Sequence, residues 1–170
     1  MDALDAIHTR RSIRKYQNRP VEEPMIRQCL AAAMSAPSAG NAQPWQFVVL
    51  TERKILDRIP ELHPHAPMAR QAQVGVVICG DLAREKYAGY WPIDCAAATQ
   101  NLLLAAHALG LGAVWCGVYP REERVAAVKE LLALPADIVP FALVLMGWPA
   151  AEGGRRDRFD AARIHYNGWS

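Results

Sequence analysis

Val74-Gly75-Val76-Val77-Ile78-Cys79-Gly80 decides the fold. The run carries no charge, and its branched apolar side chains fall at both odd and even positions. Successive side chains of a strand point to opposite faces. A strand that is apolar on both faces therefore needs a layer of structure above it and another below. Three more runs have the same character: Trp45–Leu50 (WQFVVL), Ala113–Val118 (AVWCGV) and Pro140–Gly147 (PFALVLMG). Four strands make a small sheet.

Helical patterns alternate with these strands. Asp2–Thr9 places Ala3, Leu4 and Ile7 on one side, and Met25–Ser35 directs Met25, Cys29, Ala32, Ala33 and Met34 inward. Thr51 is expected to cap a brief helix over Glu52–Ile59, closed by Pro60. Met68–Gln73 reads as a helical turn, and Leu82–Tyr90 as helical at its start. Pro92 opens the longest helix, Ile93 to Leu109, and Gly110 supplies its left-handed stop. That helix is apolar nearly all round, which buries most of it inside the monomer or against a partner chain. Arg121–Leu132 is amphipathic, with Val125, Val128, Leu131 and Leu132 inward. The pattern predicts one three-layer α/β domain over residues 1–170, without repeats or linkers. The tail from Pro149 is polar and Gly-rich but holds Phe159, Ile164, Tyr166 and Trp169, so it is expected to pack on something, such as another subunit.

The 170 residues are 52% hydrophobic and 21% charged, which suits an ordinary soluble globule. No apolar run reaches membrane-spanning length; Leu102–Leu111 is interrupted by His107. Asp2 and Asp5 stand where a secretory signal would be positive. Cys29, Cys79, Cys95 and Cys116 are widely spaced, so reduced buried thiols and a cytoplasmic location are expected.

The formal net charge of +2 acquires meaning when it is localised. Residues 10–15 and 155–163 hold eight of the 19 Lys and Arg residues and two of the 17 acids, leaving the rest of the chain net acidic. Thr9-Arg10-Arg11-Ser12-Ile13-Arg14-Lys15-Tyr16 sets three guanidiniums, an ammonium and the Thr9 and Ser12 hydroxyls together with no carboxylate. Guanidinium forks match phosphate oxygens in pairs, and hydroxyls add shorter-range donors. A single phosphate is the natural guest, whereas a nucleic-acid surface needs a broad basic face.

Familiar catalytic motifs are absent. Gly110-x-Gly112 precedes a strand, with Trp115 where a third glycine would stand, so there is no dinucleotide fingerprint. There is no P-loop, and no serine sits in a nucleophile elbow. His63-x-His65 is flanked by prolines and suits a loop better than a metal. What survives is a phosphate clamp, a small-residue loop Ala36–Pro44 containing Asn41 and Gln43, and a Trp115-Cys116-Gly117 strand end. Chemistry without a nucleophile, metal or acid–base pair belongs to a cofactor. Asn and Gln amides serve both donors and acceptors of a pyrimidine-like ring edge, which suggests flavin mononucleotide, FMN.

Arg10-Arg11-Ser12-Ile13-Arg14-Lys15-Tyr16 and Ala36-Pro37-Ser38-Ala39-Gly40-Asn41-Ala42-Gln43-Pro44-Trp45 resemble the signature blocks of the FMN-dependent nitroreductase family. Leu109–Gly112, Trp115–Val118 and Leu145–Pro149 resemble its later blocks, in the right order. The chain looks like a short member. The resemblance implies an α+β fold, a three-layer sandwich with a mixed, mostly antiparallel sheet, as an obligate homodimer whose C-terminal segment exchanges with the partner subunit. It implies that Arg10, Arg11, Ser12 and Arg14 hold the FMN phosphate and ribityl chain, with Arg156 or Arg158, the latter favoured, completing the clamp. Pro37, Ser38, Ala39 and Asn41 would line the ring from the partner, with Gln43 in the same loop. Cys116 and Gly117 would approach the ring through backbone amides, and His65 or Arg70 would supply a polar group beside it. NADH or NADPH would give hydride to the flavin, and a nitroaromatic, quinone or similar acceptor would take it in a ping-pong cycle. Ene reduction, reductive dehalogenation or flavin breakdown on the same scaffold is the alternative chemistry, and a non-catalytic phosphate- or RNA-binding module the alternative class.

Overall fold

The four apolar runs form strands β1 (Trp45–Leu50), β2 (Val74–Asp81), β3 (Gly112–Gly117) and β4 (Ile138–Gly147). They pair antiparallel throughout, in the order β1–β2–β4–β3. The structure, a computed structural model, describes residues 1–151, 153–154 and 156–169. Helices α1 (Ala3–Thr9), α2 (Glu23–Met34), α3 (Arg53–Leu56), α4 (Ile59–Leu62), α5 (Trp91–Ala108) and α6 (Glu122–Leu132) enclose the sheet.

The central strand β2 behaves as its composition requires. Val74, Val76 and Ile78 pack on one face with Ile26, Cys29 and Ala33 of α2 and Cys95, Ala98 and Leu102 of α5. Val77 and Cys79 face the opposite core with Leu56 of α3, Ile59 of α4 and Val128 of α6. The result is an α+β three-layer sandwich. In α2 the buried stripe is Ile26–Cys29–Ala33, with Met25 and Ala32 partly buried at its side, and Met34, one position further round the helix from Ala33, is exposed.

Prolines account for several boundary differences. Pro60 does not close a helix; it lies in the first turn of α4, where a missing N–H costs nothing. The expected Glu52–Ile59 helix is instead two short ones, and α3 begins after Glu52 with no side-chain cap from Thr51. Pro140 lies inside β4 at an irregularity, where Ile78 pairs with Ala142 but Cys79 with Pro140. The extra residue frees Phe141, whose carbonyl accepts from Val118 and Tyr119, and a bulge is where a strand tolerates proline. Helix α5 begins at Trp91 with Pro92 in its first turn, and Gly110 at φ 81° ends it. The Gly110 and Leu111 N–H groups return to the His107 and Ala106 carbonyls, a Schellman ending.

β3 is an edge strand of the sheet, and the basic stretch covers it. Ser12 makes a parallel bridge with Ala113, and Tyr16 an antiparallel one with Pro149. Ile13 presses so close that a Cβ on Gly112 would lie 2.7 Å from its Cγ2. Buried Tyr16 reaches the Ile13 and Leu145 carbonyls with its hydroxyl, pinning the stretch to β4. The tail aromatics Phe159, Tyr166 and Trp169 stay exposed on this single chain.

Candidate functional site

The basic stretch is aimed by the end of α1. Arg10 leaves helical geometry at φ −55°, ψ 133°, and the chain continues extended along β3. Thr9 Oγ1 donates to the Asp5 carbonyl, so His107 Nε2–H donates to Thr9 at 2.8 Å and joins α1 to α5. Burial holds the His107 imidazole below its ordinary range, and the charges of Arg10 and Arg11 act in the same direction.

Arg11 is the unusual residue. Its Nη1 donates to the Arg10 carbonyl, whereas Nε and Nη2 are buried with no partner among the described residues. Leaving charged donors buried and unsatisfied is expensive. The Arg11 stem is covered by the tail, because a Cβ on Gly153 would lie 2.7 Å from Arg11 Cβ and Cγ. On one side, a cleft of about 510 Å³ is lined by Arg11, Ser12, Arg14 and Lys15 facing Gly154, Arg156 and Arg158. On the other, about 490 Å³ is bounded by His8, Arg10 and Arg11 with the same two tail arginines and Phe159. Arg10 is held below the usual guanidinium value, first by burial and then by the charges of Arg11 and Arg158. The structure thus brings together Arg10, Arg11, Ser12, Arg14, Arg156 and Arg158. Arg155, counted with the basic tail, lies outside the described residues.

The loop Ala36–Pro44 is a separate feature; none of its residues lines either arginine cleft. Gly40, Asn41 and Gln43 adopt φ of 57°, 52° and 49°. Gln43 N–H donates to Ser38 Oγ at 3.0 Å, and Gln43 Nε2 to Asn41 Oδ1 at 2.7 Å. The pairing leaves Asn41 Nδ2 as a donor and Gln43 Oε1 as an acceptor without a partner among the described residues. Lys86 Nζ holds the Gly40 carbonyl at 2.8 Å, and the Ala39 N–H donates to buried Asp94 at 3.0 Å. Neither Lys86 nor Asp94 is visible as a site residue in the sequence.

At the end of β3, Cys116 is buried and its thiol is pushed up to about 11 by burial, so it is an unreactive core group. Exposed Gly117 has a carbonyl that accepts from His63 Nε2 at 2.8 Å and from Arg124 Nη1 at 3.0 Å. Burial chiefly holds His63 below its ordinary range, and its Nδ1 has no partner among the described residues. The sequence flagged the His63-x-His65 pair but could not say which ring turns inward. His65 is exposed and packs edge-on against His63, and Arg70 lines a different cleft with Tyr16, Asn18 and Arg53.

Fold and site together define a class: an α+β protein with an antiparallel sheet whose edge carries a cluster of arginines. Residues 7–66 and 61–148 match the model of the nitroreductase family, and the chain belongs to that family. A protein of Methanothermobacter thermautotrophicus, provisionally named an NADH dehydrogenase/NAD(P)H nitroreductase, is 50% identical across 99% of this chain and 88% of its own. A crystal structure of a protein from Parabacteroides distasonis with the same provisional name superimposes at a TM-score of 0.94, with 41% identity and 98% of both chains covered. A Desulfovibrio desulfuricans protein, provisionally called a nitroreductase and solved in complex with FMN, superimposes at 0.85, with 32% identity over 100% of this chain and 99% of that one.

Proposed function

We propose that this chain is an FMN-dependent oxidoreductase that takes hydride from NADH or NADPH and reduces a nitroaromatic, quinone or similar small acceptor by alternating, ping-pong half-reactions. One observation carries the cofactor assignment: Arg11, whose buried Nε and Nη2 have no partner among the described residues, borders an arginine-lined cleft. A monophosphate satisfies such donors, and the D. desulfuricans relative binds FMN. FMN supplies the two-electron chemistry, which explains why no side-chain nucleophile is needed.

Arg10, Arg11, Ser12 and Arg14, with Arg156 and Arg158, hold the phosphate and ribityl chain. Pro37, Ser38, Ala39, Asn41 and Gln43 of a second copy meet the ring, and the backbone at Cys116 and Gly117 borders it. Three features support a homodimer. The loop lies away from its own chain's clefts. Ala96, Ala97, Leu104 and Ala105 of α5 are only half-buried. The tail aromatics find no cover in the single chain, which suits a tail exchanged with the partner. No helix of the described residues is long and apolar enough to cross a membrane, and we place the enzyme in the cytoplasm.

The test is the visible spectrum of the purified protein before and after anaerobic NADH and NADPH. Flavin bands that bleach, and return with a nitroaromatic or quinone, support the oxidoreductase and identify its donor. Bands that resist both nucleotides move the function to another flavin chemistry. A colourless protein that FMN cannot reconstitute overturns the cofactor assignment.

A further inference from the structure

The turn at residues 38–43 has a backbone that its own sequence does not favour. Gly40, Asn41 and Gln43 are all left-handed, two of them without glycine's freedom. Such backbone persists where surrounding groups over-determine it. Here the surrounding groups come from the segment that joins β2 to α5. Lys86 holds the Gly40 carbonyl, and Arg84 Nε approaches the Gln43 carbonyl at 3.3 Å. Tyr87 lies against Gly40, where a Cβ would stand 2.7 Å from its Cε2.

Asp94 is the only buried carboxylate among the described residues. It stands in the first turn of α5, surrounded in sequence by apolar residues. A buried carboxylate is costly unless hydrogen-bonded, and the bond it makes is to the Ala39 N–H, 55 residues away in the chain. An apolar side chain would pack the start of α5 without that cost. The carboxylate is explained by the loop it holds.

We propose that Asp94, assisted by Lys86, is a positioning residue that fixes the Ala39–Asn41 turn so that the side-chain groups Asn41 Nδ2 and Gln43 Oε1 meet the flavin edge. This rests on the proposal that the loop faces the flavin of the partner subunit. Asp94 touches neither cofactor nor substrate; it acts through Ala39.

The experiment measures FMN affinity, the midpoint potential of the bound flavin and the melting temperature for wild type, Asp94→Ala, Asp94→Asn, Lys86→Ala and Asn41→Ala. Losing one charge-assisted bond is expected to weaken FMN on the order of tenfold in Asp94→Ala. Asp94→Asn keeps an acceptor for the Ala39 N–H and is expected to recover most of that loss. The potential shifts away from wild type in Asp94→Ala and returns toward it in Asp94→Asn. A merely structural Asp94 would lower the melting temperature but leave affinity and potential at wild-type values, and that result overturns the proposal. If Asp94→Ala does not fold, exposed Lys86→Ala decides: weaker FMN supports the positioning role, and unchanged FMN overturns it. Asn41→Ala separates the two levels. If it weakens FMN while Asp94→Ala does not, positioning alone fails; if neither does, the loop does not face the flavin and both readings fall.

Discussion

The basic stretch Thr9–Tyr16 and the small-residue loop Ala36–Pro44 are both assigned to one cofactor, yet they are built by opposite means. The stretch works through side-chain charge on ordinary extended backbone, anchored by buried Tyr16 and the edge of β3. The loop works through unusual backbone, with few atoms of its own and with Asp94 and Lys86 holding it from outside. In the first, the residues that would bind are the residues that stand out. In the second, the groups that would fix the geometry lie more than forty residues downstream.

This contrast makes the expected effects separable. The largest belongs to the charged half. Arg11→Ala removes a guanidinium whose buried Nε and Nη2 have no partner among the described residues, so FMN affinity should fall by about 1.5–3 kcal/mol. Fluorescence titration of the apoprotein checks this, and the melting temperature of the apoprotein should not fall with it. Gly40→Ala is the corresponding test of the loop. It forces a Cβ into left-handed backbone at φ 57° and toward Tyr87, a cost of about 1–2 kcal/mol before any clash. FMN binding should weaken, while the sheet, monitored by circular dichroism, should not change.

A smaller effect concerns pH. His63 and His107 are both held below the ordinary 6.5, so between their folded values and 6.5 the unfolded chain binds more protons than the folded one. Stability is therefore complete above about 6.5 and is lost as pH falls below it. Melting curves of the apoprotein should be flat from pH 8 to 7 and decline toward pH 5. His107→Gln should reduce the decline if the packing behind the basic stretch contributes to it. The smallest effect is expected at Gly117→Ala. A Cβ there meets nothing within 4 Å, so stability should stay within about 0.5 kcal/mol of wild type.

Period and composition made the sandwich legible. Val74–Gly80 carried the demand for two covering layers, and β1 falls at the expected Trp45–Leu50. Where the expectation missed, a proline had two lawful uses: Pro60 starts a helix rather than ending one, and Pro140 sits at a bulge within a longer strand rather than at the strand's first residue. The arginine cradle was legible because charge clustered in sequence also clusters in space, including Arg156 and Arg158 from the far end of the chain. Asp94 was not, because a lone acid in an apolar helix gives no sign of the backbone N–H it holds. Nor was His63, since only the folded chain shows which of two neighbouring histidines reaches the Gly117 carbonyl.

The most direct measurement compares the dissociation constants of FMN and riboflavin, which differ by the phosphate alone, for wild type and Arg11→Ala. If the cradle holds the phosphate, wild type binds FMN at least about tenfold more tightly than riboflavin, and Arg11→Ala loses most of that preference while its riboflavin affinity stays the same. Equal affinities of the wild-type protein for the two flavins, or a preference untouched by Arg11→Ala, would contradict the account.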